Sequence, residues 1–247
     1  MFPIRDHNPS GRTPYVTWAL IALNVAIFLA YWPFLSSEIQ IIRFFDDWGL
    51  VPLYVTEGHD LHGILTSMFL HGGWMHLIGN MLFLYIFGDN LEDEMGPVGF
   101  LVFYLAAGLA AAALQILADP YSRIPMVGAS GAIAGVMGGY LLLFPKARVD
   151  VLIIFIIFFR VFPVRAWLLL AAWFGMQIFG GISSPSDEGG VAFWAHAGGF
   201  IAGLVLALPL WLRLGGTAFW RETHGIPPHP AAKYPLSGTR IPIVRRR

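Results

Sequence analysis

The sequence predicts an all-α membrane protein whose chain crosses the bilayer as six helices. Of its 247 residues, 57% are hydrophobic and only 12% are charged, whereas soluble domains usually carry about 25% charged residues. The charges are unevenly spread, and long stretches of the chain contain no Asp, Glu, Lys or Arg. Each charge-free stretch is long enough to cross a hydrocarbon core of about 30 Å as a helix.

Short connections separate the predicted spans. Pro120 and Pro125 end the third span and precede the fourth, and Pro163 lies just before the fifth, in keeping with the helix-breaking effect of proline. The apolar run at residues 151–159 is too short to cross alone and is expected near the membrane interface. The six spans are predicted at residues 15–33, 65–87, 98–117, 128–144, 165–179 and 191–212.

The basic residues predict the orientation. With the N-terminus in the cytoplasm, all of the 15 Lys and Arg except Arg43 and Arg123 fall on the cytoplasmic side, as the positive-inside rule requires. Both termini are therefore expected in the cytoplasm of a multi-pass protein in a prokaryotic cell (inner) membrane. The layout is a cytoplasmic segment at residues 1–14, a six-helix domain at 15–213 and a cytoplasmic, basic and Pro-rich tail at 214–247 that is expected to be disordered.

Several functional classes are disfavoured. The formal net charge is zero, which gives no electrostatic case for nucleic acid, and the absence of cysteine excludes thiolate chemistry. Neither His-Glu-x-x-His nor Gly-x-Gly-Asp occurs, so a zinc or aspartyl intramembrane protease is excluded. The sequence shows no inverted repeat of the kind found in many transporters, so a transporter is disfavoured. We therefore expect no metal and no cofactor.

Ser130 opens the fourth span, within the Gly-Ala-Ser-Gly sequence at 128–131. A serine at a helix start is often only an N-cap. The alternative is catalytic, because free backbone N–H groups and the positive end of the helix dipole favour negative charge there. A nucleophilic Ser130 would then have its oxyanion stabilised by its own backbone N–H.

His196 lies near the start of the sixth span, within Ala-His-Ala-Gly-Gly at 195–199. An imidazole in an apolar helix needs a partner, because an unpaired buried polar group is costly. One candidate partner is a polar group on a neighbouring helix, in a hydrogen bond that only holds the two helices together. The other is Ser130, for which His196 would be the general base. Both residues lie a few positions from the outer ends of their spans, which places them at similar depth.

Glycine rows indicate that the fourth and sixth spans touch. Gly131 and Gly135 follow Ser130 on one helix, and Gly199 and Gly203 follow His196 on the other. Small residues at this spacing let membrane helices pack backbone to backbone.

The second span carries the third polar group. His76 and Asn80 are four residues apart and therefore share a helix face, and both offer N–H donors that would complete an oxyanion hole. His71 precedes them by five residues and need not share that face.

Together, these motifs resemble the signature of the rhomboid proteases in order and spacing: His71-x4-His76-x3-Asn80, Gly-Ala-Ser130-Gly and Ala-His196-x2-Gly. The resemblance covers residues 15–212. It implies a six-transmembrane-helix rhomboid bundle with a Ser130–His196 dyad and oxyanion donors at His76, Asn80 and the Ser130 backbone N–H. It also implies that His71 supports the outer loop or a retained water.

The resemblance further implies the activity: cleavage of transmembrane protein substrates near their outer end, within the lipid bilayer, with no metal or nucleotide. Two positions depart from the family pattern. Ala134 stands where some members have an aromatic residue below the histidine ring, and residues 61–62 read Leu-His where many members have Trp-Arg. The alternative is a non-catalytic relative that binds transmembrane clients without cutting them. The fifth span, which carries none of the motif residues, is the expected lateral gate.

Overall fold

The computed structural model describes residues 2–8, 10–155, 158–183 and 191–229. Most of the described residues are helical, and three strands form one sheet. The helices are α1 (Tyr15–Tyr31), α2 (Glu38–Trp48), α3 (Pro52–Thr56), α4 (Gly63–Thr66), α5 (Trp74–Ala118), α6 (Ser130–Leu143), α7 (Ala166–Ser183), α8 (Phe193–Arg213) and α9 (Thr217–Glu222). The strands are β1 (Phe2–Asp6), β2 (Arg148–Phe155) and β3 (Phe158–Arg165).

Among the described residues, four helical segments are long and apolar enough to cross a membrane: Tyr15–Phe34, Trp74–Ala118, Ala166–Ser183 and Phe193–Arg213. The chain is thus an integral, multi-pass membrane protein. The longest of them, α5, is interrupted at Gly96, whose φ of 71° and ψ of 164° are not helical. Its two arms meet there, in front of Pro97, because glycine alone adopts a positive φ without strain.

Helix α6 lies at the centre of the bundle. Although it has only 14 residues, almost all of them are buried, and Tyr140 and Leu143 are fully inaccessible. A helix that is apolar on every face lies either in lipid or inside protein, and the burial of α6 places it inside protein. The helices α5 and α8 supply these surroundings, so α6 begins and ends inside protein.

The all-α prediction is wrong at the loop between α6 and α7, where β2 and β3 form an antiparallel hairpin that pairs Arg148 with Arg165. The N-terminal β1 adds a third strand, with Asp6 opposite Val149. The described residues of the apolar run expected at the interface, 151–155 and 158–159, belong to this hairpin, because β-branched and aromatic residues favour strands. Pro163 is tolerated because β3 is an edge strand of this sheet.

Buried polar contacts dock the N-terminal segment on the bundle. Asp6 Oδ2 accepts hydrogen bonds from Asn90 Nδ2 at 2.7 Å and from the Tyr140 hydroxyl at 3.2 Å. Burial, followed by the nearby Asp89 carboxylate, raises the pKa of Asp6 to about 7. Glu92 on α5 accepts from the backbone N–H of Val16 at 2.9 Å and so caps the first turn of α1.

The prediction of a disordered tail is wrong for residues 214–229. Phe219 is buried, and the Trp220 indole N–H donates to the Leu142 carbonyl at 2.9 Å. The backbone N–H of Lys146 donates to the Gly225 carbonyl at 2.8 Å. Two aromatic side chains bury enough apolar surface to order a segment whose average composition is polar. The rest of the tail, at 230–247, lies outside the described residues.

Candidate active site

Ser130 is the first residue of α6 and is half-buried. Ala129 occupies the N-cap position, and no side chain caps this helix. The Ser130 hydroxyl therefore does not serve as a cap. Its backbone N–H belongs to the first turn, where N–H groups have no partner within the helix.

The Ser130 hydroxyl instead faces an imidazole. His196 lies in the first turn of α8, and its Nε2 is 2.7 Å from Ser130 Oγ. Two residues 66 positions apart in the chain thus meet because each lies in the first turn of its helix and α6 packs against α8. The distance is within the range needed for proton transfer between a hydroxyl and a base.

The glycines hold α6 and α8 at this close separation. A Cβ built on Gly199 would collide with the backbone carbonyl of Gly131, and one built on Gly203 would collide with that of Gly135. Backbone atoms cannot rotate away from such a contact. The structure therefore brings all four glycines of the sequence analysis into one helix–helix contact, directly below the Ser130–His196 pair.

His76 and Asn80 lie on the N-terminal arm of α5, on the side that faces Ser130. A Cβ placed on Gly128 would lie 2.8 Å from His76 Nε2 and 3.3 Å from Ser130 Oγ. Gly128 has no Cβ and a φ of 132°, so a small space stays open between these two polar atoms. Asn80 Nδ2 donates one hydrogen bond to the His76 carbonyl at 3.1 Å, which leaves its second N–H for another acceptor.

His71 lies behind this group and does not face Ser130. The ring is fully buried, and its centroid lies 5.2 Å from that of His76 in an edge-on arrangement. The Tyr31 hydroxyl donates to the His71 carbonyl at 2.7 Å and accepts from its N–H at 2.8 Å. His71 thus links α1 to the loop that precedes the His76 helix.

Two contacts of His196 were missed in the sequence. Gln177 Oε1 on α7 lies 2.8 Å from His196 Nδ1, and the Trp173 ring lies against the imidazole with its centroid 5.7 Å away. Ala134, at the position where some rhomboids have an aromatic residue, is buried. The signal for Gln177 was present, because an amide in an apolar span is costly and needs a partner.

The candidate residues line one cavity of about 830 Å³. Ser130, His196, His76 and Asn80 all contribute to its wall, and Trp173 closes it on the α7 side. Together, this arrangement offers a hydroxyl, a base and several N–H donors around one space inside a membrane-embedded helix bundle. Such an arrangement is suited to acyl transfer.

A membrane-embedded bundle with a serine and a histidine in hydrogen-bond contact defines a narrow class of proteins. The family model for the Rhomboid domain matches residues 58–213, which is more than half of the chain. The chain belongs to the Rhomboid family.

Relatives occur in organelles and in bacteria. Rhomboid-like protein 11, chloroplastic, of Arabidopsis thaliana is 33% identical over 131 residues, which cover 53% of this chain and 42% of that protein. Rhomboid protein 1, mitochondrial, of Saccharomyces cerevisiae is 28% identical over 199 residues, or 77% and 51% of the two chains. Rhomboid protease GluP of Bacillus subtilis is 33% identical over 153 residues, or 62% and 27%. The chain spans about half the length of these relatives, or less.

Proposed function

We propose that this protein is an intramembrane serine endopeptidase that cleaves transmembrane segments of other membrane proteins within the lipid bilayer. The observation that carries the proposal is the 2.7 Å contact between His196 Nε2 and Ser130 Oγ inside the cavity. A plain helix–helix hydrogen bond needs no surrounding cavity and no adjacent N–H donors. The Bacillus relative, named a rhomboid protease, supports the same activity.

In the proposed reaction, His196 Nε2 accepts the proton of the Ser130 hydroxyl as Oγ attacks the scissile carbonyl carbon. The C–O bond forms, the carbonyl π electrons move to oxygen, and a tetrahedral intermediate results. The protonated His196 then gives its proton to the leaving amine, and the C–N bond breaks. A water activated by the same imidazole hydrolyses the Ser130 ester and restores the enzyme.

We assign three groups to stabilising the negative oxygen of the intermediate: the Ser130 backbone N–H, His76 and Asn80. The open space above Gly128, which His76 Nε2 and Ser130 Oγ both border, is where we place that oxygen. The N-terminus of α6 contributes its dipole at the same point. Preorganised donors of this kind usually supply the largest single part of the rate enhancement.

We further propose that the chain crosses the membrane six times. The two arms of α5 count as two spans, the other three long apolar segments as three, and the shorter α6 as the sixth. Because α6 has only 14 residues, it is shorter than the hydrocarbon core, and its first residue, Ser130, would lie below the outer surface. Cleavage near the outer end of a substrate helix follows from that depth. The cytoplasmic placement of both termini and the prokaryotic membrane stay predictions.

The decisive experiment compares wild-type protein with Ser130→Ala and His196→Ala in liposomes that contain a transmembrane reporter substrate. Each variant is expected to abolish cleavage and labelling by a fluorophosphonate probe. Because the two residues act as one unit, the double variant should be no worse than either single one. Robust turnover by purified, folded Ser130→Ala would disprove the proposal. A folded wild-type protein that retains reporter helices without cutting or labelling would instead be the non-catalytic relative.

The oxyanion assignment has its own test. Asn80→Ala is expected to slow cleavage by roughly 10²–10³-fold, the usual effect of losing one oxyanion donor, and His76→Ala is expected to behave similarly. Steady-state cleavage rates and thermal stability would be measured together. If both variants keep wild-type rates, these residues are not oxyanion donors, and the dyad is unaffected by that result.

A further inference from the structure

The imidazole of His196 has a second polar partner that belongs to neither catalytic helix. Gln177 lies on α7, is 7% exposed and places its Oε1 2.8 Å from His196 Nδ1. We propose that Gln177 is a positioning residue that holds His196 in the one neutral tautomer able to accept the Ser130 proton. This inference rests on the proposed function of the Ser130–His196 pair.

The orientation of the Gln177 amide follows from its other contact. Its Nε2 donates to the backbone carbonyl of Trp173, one turn earlier, at 3.3 Å. With the amide nitrogen turned toward that carbonyl, the amide oxygen faces His196. An amide oxygen can only accept a hydrogen bond, so Nδ1 must carry the imidazole proton.

The tautomer decides whether His196 can act as a base. A neutral imidazole carries one N–H, so a proton on Nδ1 leaves the Nε2 lone pair free toward Ser130. The reverse amide orientation would donate to Nδ1, move the ring proton to Nε2 and point an N–H at the serine hydroxyl. It would also turn the amide oxygen toward the Trp173 carbonyl, where two buried acceptors would face each other without a proton.

A neutral amide performs this role at lower cost than a carboxylate in this environment. A buried Asp in the same place would add a charge inside the membrane, which is expensive without a partner. The Trp173 ring, tilted by 37° against the imidazole, restricts ring rotation from the same helix. Helix α7 thus supplies both the hydrogen bond and the ring contact that orient His196.

Two substitutions test the role by their opposite chemistry. Gln177→Met keeps the length of the side chain and removes the acceptor. Gln177→Glu, as the neutral acid that an apolar site favours, keeps a carbonyl oxygen for Nδ1 and an O–H that can donate to the Trp173 carbonyl. We expect kcat for a transmembrane substrate to fall on the order of 10- to 10²-fold in Gln177→Met, less than the ~10⁴-fold loss when a wrong tautomer is enforced. The Glu variant should retain kcat within several-fold of wild type. KM should not change, because Gln177 does not line the cavity.

A purely structural Gln177 would give a different result. Both variants would then lower thermal stability alike without separating in kcat, or would change kcat and KM together, and either outcome would overturn the inference. A second measurement does not need the Gln177 variants: ¹⁵N NMR of the histidines in the full-length wild-type protein, with the His196 signal assigned by its loss in folded His196→Gln.

The inference expects a protonated Nδ1 and an unprotonated Nε2 for His196, and the reverse pattern would overturn it. Failure of the proposed function would look different, because Ser130→Ala would then still cleave the substrate, or the folded wild-type protein would not cleave it, whatever the histidine tautomer. The two ideas can therefore fail independently.

Discussion

Two helices contact α8 on either side of His196, and they do so by different means. Helix α6 meets α8 backbone to backbone, with no side chain between Gly199 and the Gly131 carbonyl. Around His196, helix α7 meets it through side chains: the Phe174 and Phe200 rings stack with centroids 4.8 Å apart, and Gln177 bonds to the imidazole. Nearer its C-terminal end, α7 places the backbone of Gly180 against the Phe193 ring.

The difference indicates which half of the site is rigid. A backbone contact has one geometry, because neither chain can rotate out of the way, whereas side chains change rotamer at a cost of about 1 kcal/mol. Burial agrees, since almost all of α6 is buried, whereas α7 buries only Ala166, Leu170 and Gln177. The α6–α8 contact sets the Ser130–His196 distance, and the α7–α8 contact orients the imidazole while the outer face of α7 remains free for lipid.

The largest loss of cleavage rate is expected from Gly199→Val. This variant inserts a branched side chain where even a Cβ would collide with the Gly131 carbonyl. The two helices must separate, which lengthens the Ser130–His196 hydrogen bond. A displacement of about 1 Å can cost on the order of 10²-fold in rate. Initial cleavage rates and fluorophosphonate labelling rates would measure it.

A matched pair adds a single methyl group at each of two helix glycines: Gly199→Ala is the test, and Gly175→Ala is the control. A Cβ on Gly175 of α7 would meet nothing within 4 Å, so this variant should keep wild-type activity with equal or higher stability. The neighbouring Gly198 is unsuitable as a control, because its Cβ would lie 2.6 Å from that of Leu114. Full activity in folded Gly199→Val would show that backbone contact does not set the catalytic distance.

The rigid half was predictable from the sequence because its signals are local and periodic. Gly131 and Gly135 lie four residues apart directly after Ser130 and so share one helix face, and Gly199 and Gly203 follow His196 by about one and two turns. Topology then places both helix starts at one depth. These arguments bring the two reacting groups together without any knowledge of the neighbouring helices.

The other half depends on contacts that no local pattern encodes. Gln177 is a lone amide in an apolar helix, and the rotation of α7 about its own axis determines which group it contacts. That rotation cannot be predicted from a helix with apolar residues on all faces. The sheet was missed for a similar reason. Its β1 pairs with β2 about 145 residues away, as the Arg5–Asp150 ion pair at 2.7 Å shows, whereas a hydropathy scan sees only nearby residues.

The α7–α8 contact includes two neighbouring aromatic residues, and nothing in the sequence alone shows that their roles differ. Both Trp173 and Phe174 lie on the expected gate, and both pack against Phe200. The structure separates them, because Trp173 contacts His196 and lines the cavity, whereas Phe174 does not line it. Phe174 therefore holds α7 to α8, and Trp173 also holds the base in place.

The two alanine variants should consequently differ in direction. Phe174→Ala loosens α7 without touching the imidazole, so a transmembrane substrate that enters beside α7 should be cut at least as fast as by wild type, with a modest loss of thermal stability. Trp173→Ala frees the His196 ring and should slow cleavage by about 10-fold, since the base is then misplaced for part of the time. A short soluble peptide substrate separates the causes, because it needs no lateral entry: Trp173→Ala should slow its cleavage equally, and Phe174→Ala should leave it unchanged. If both variants change both rates by the same factor, α7 acts as one rigid unit and the distinction between its gating and orienting side chains is wrong.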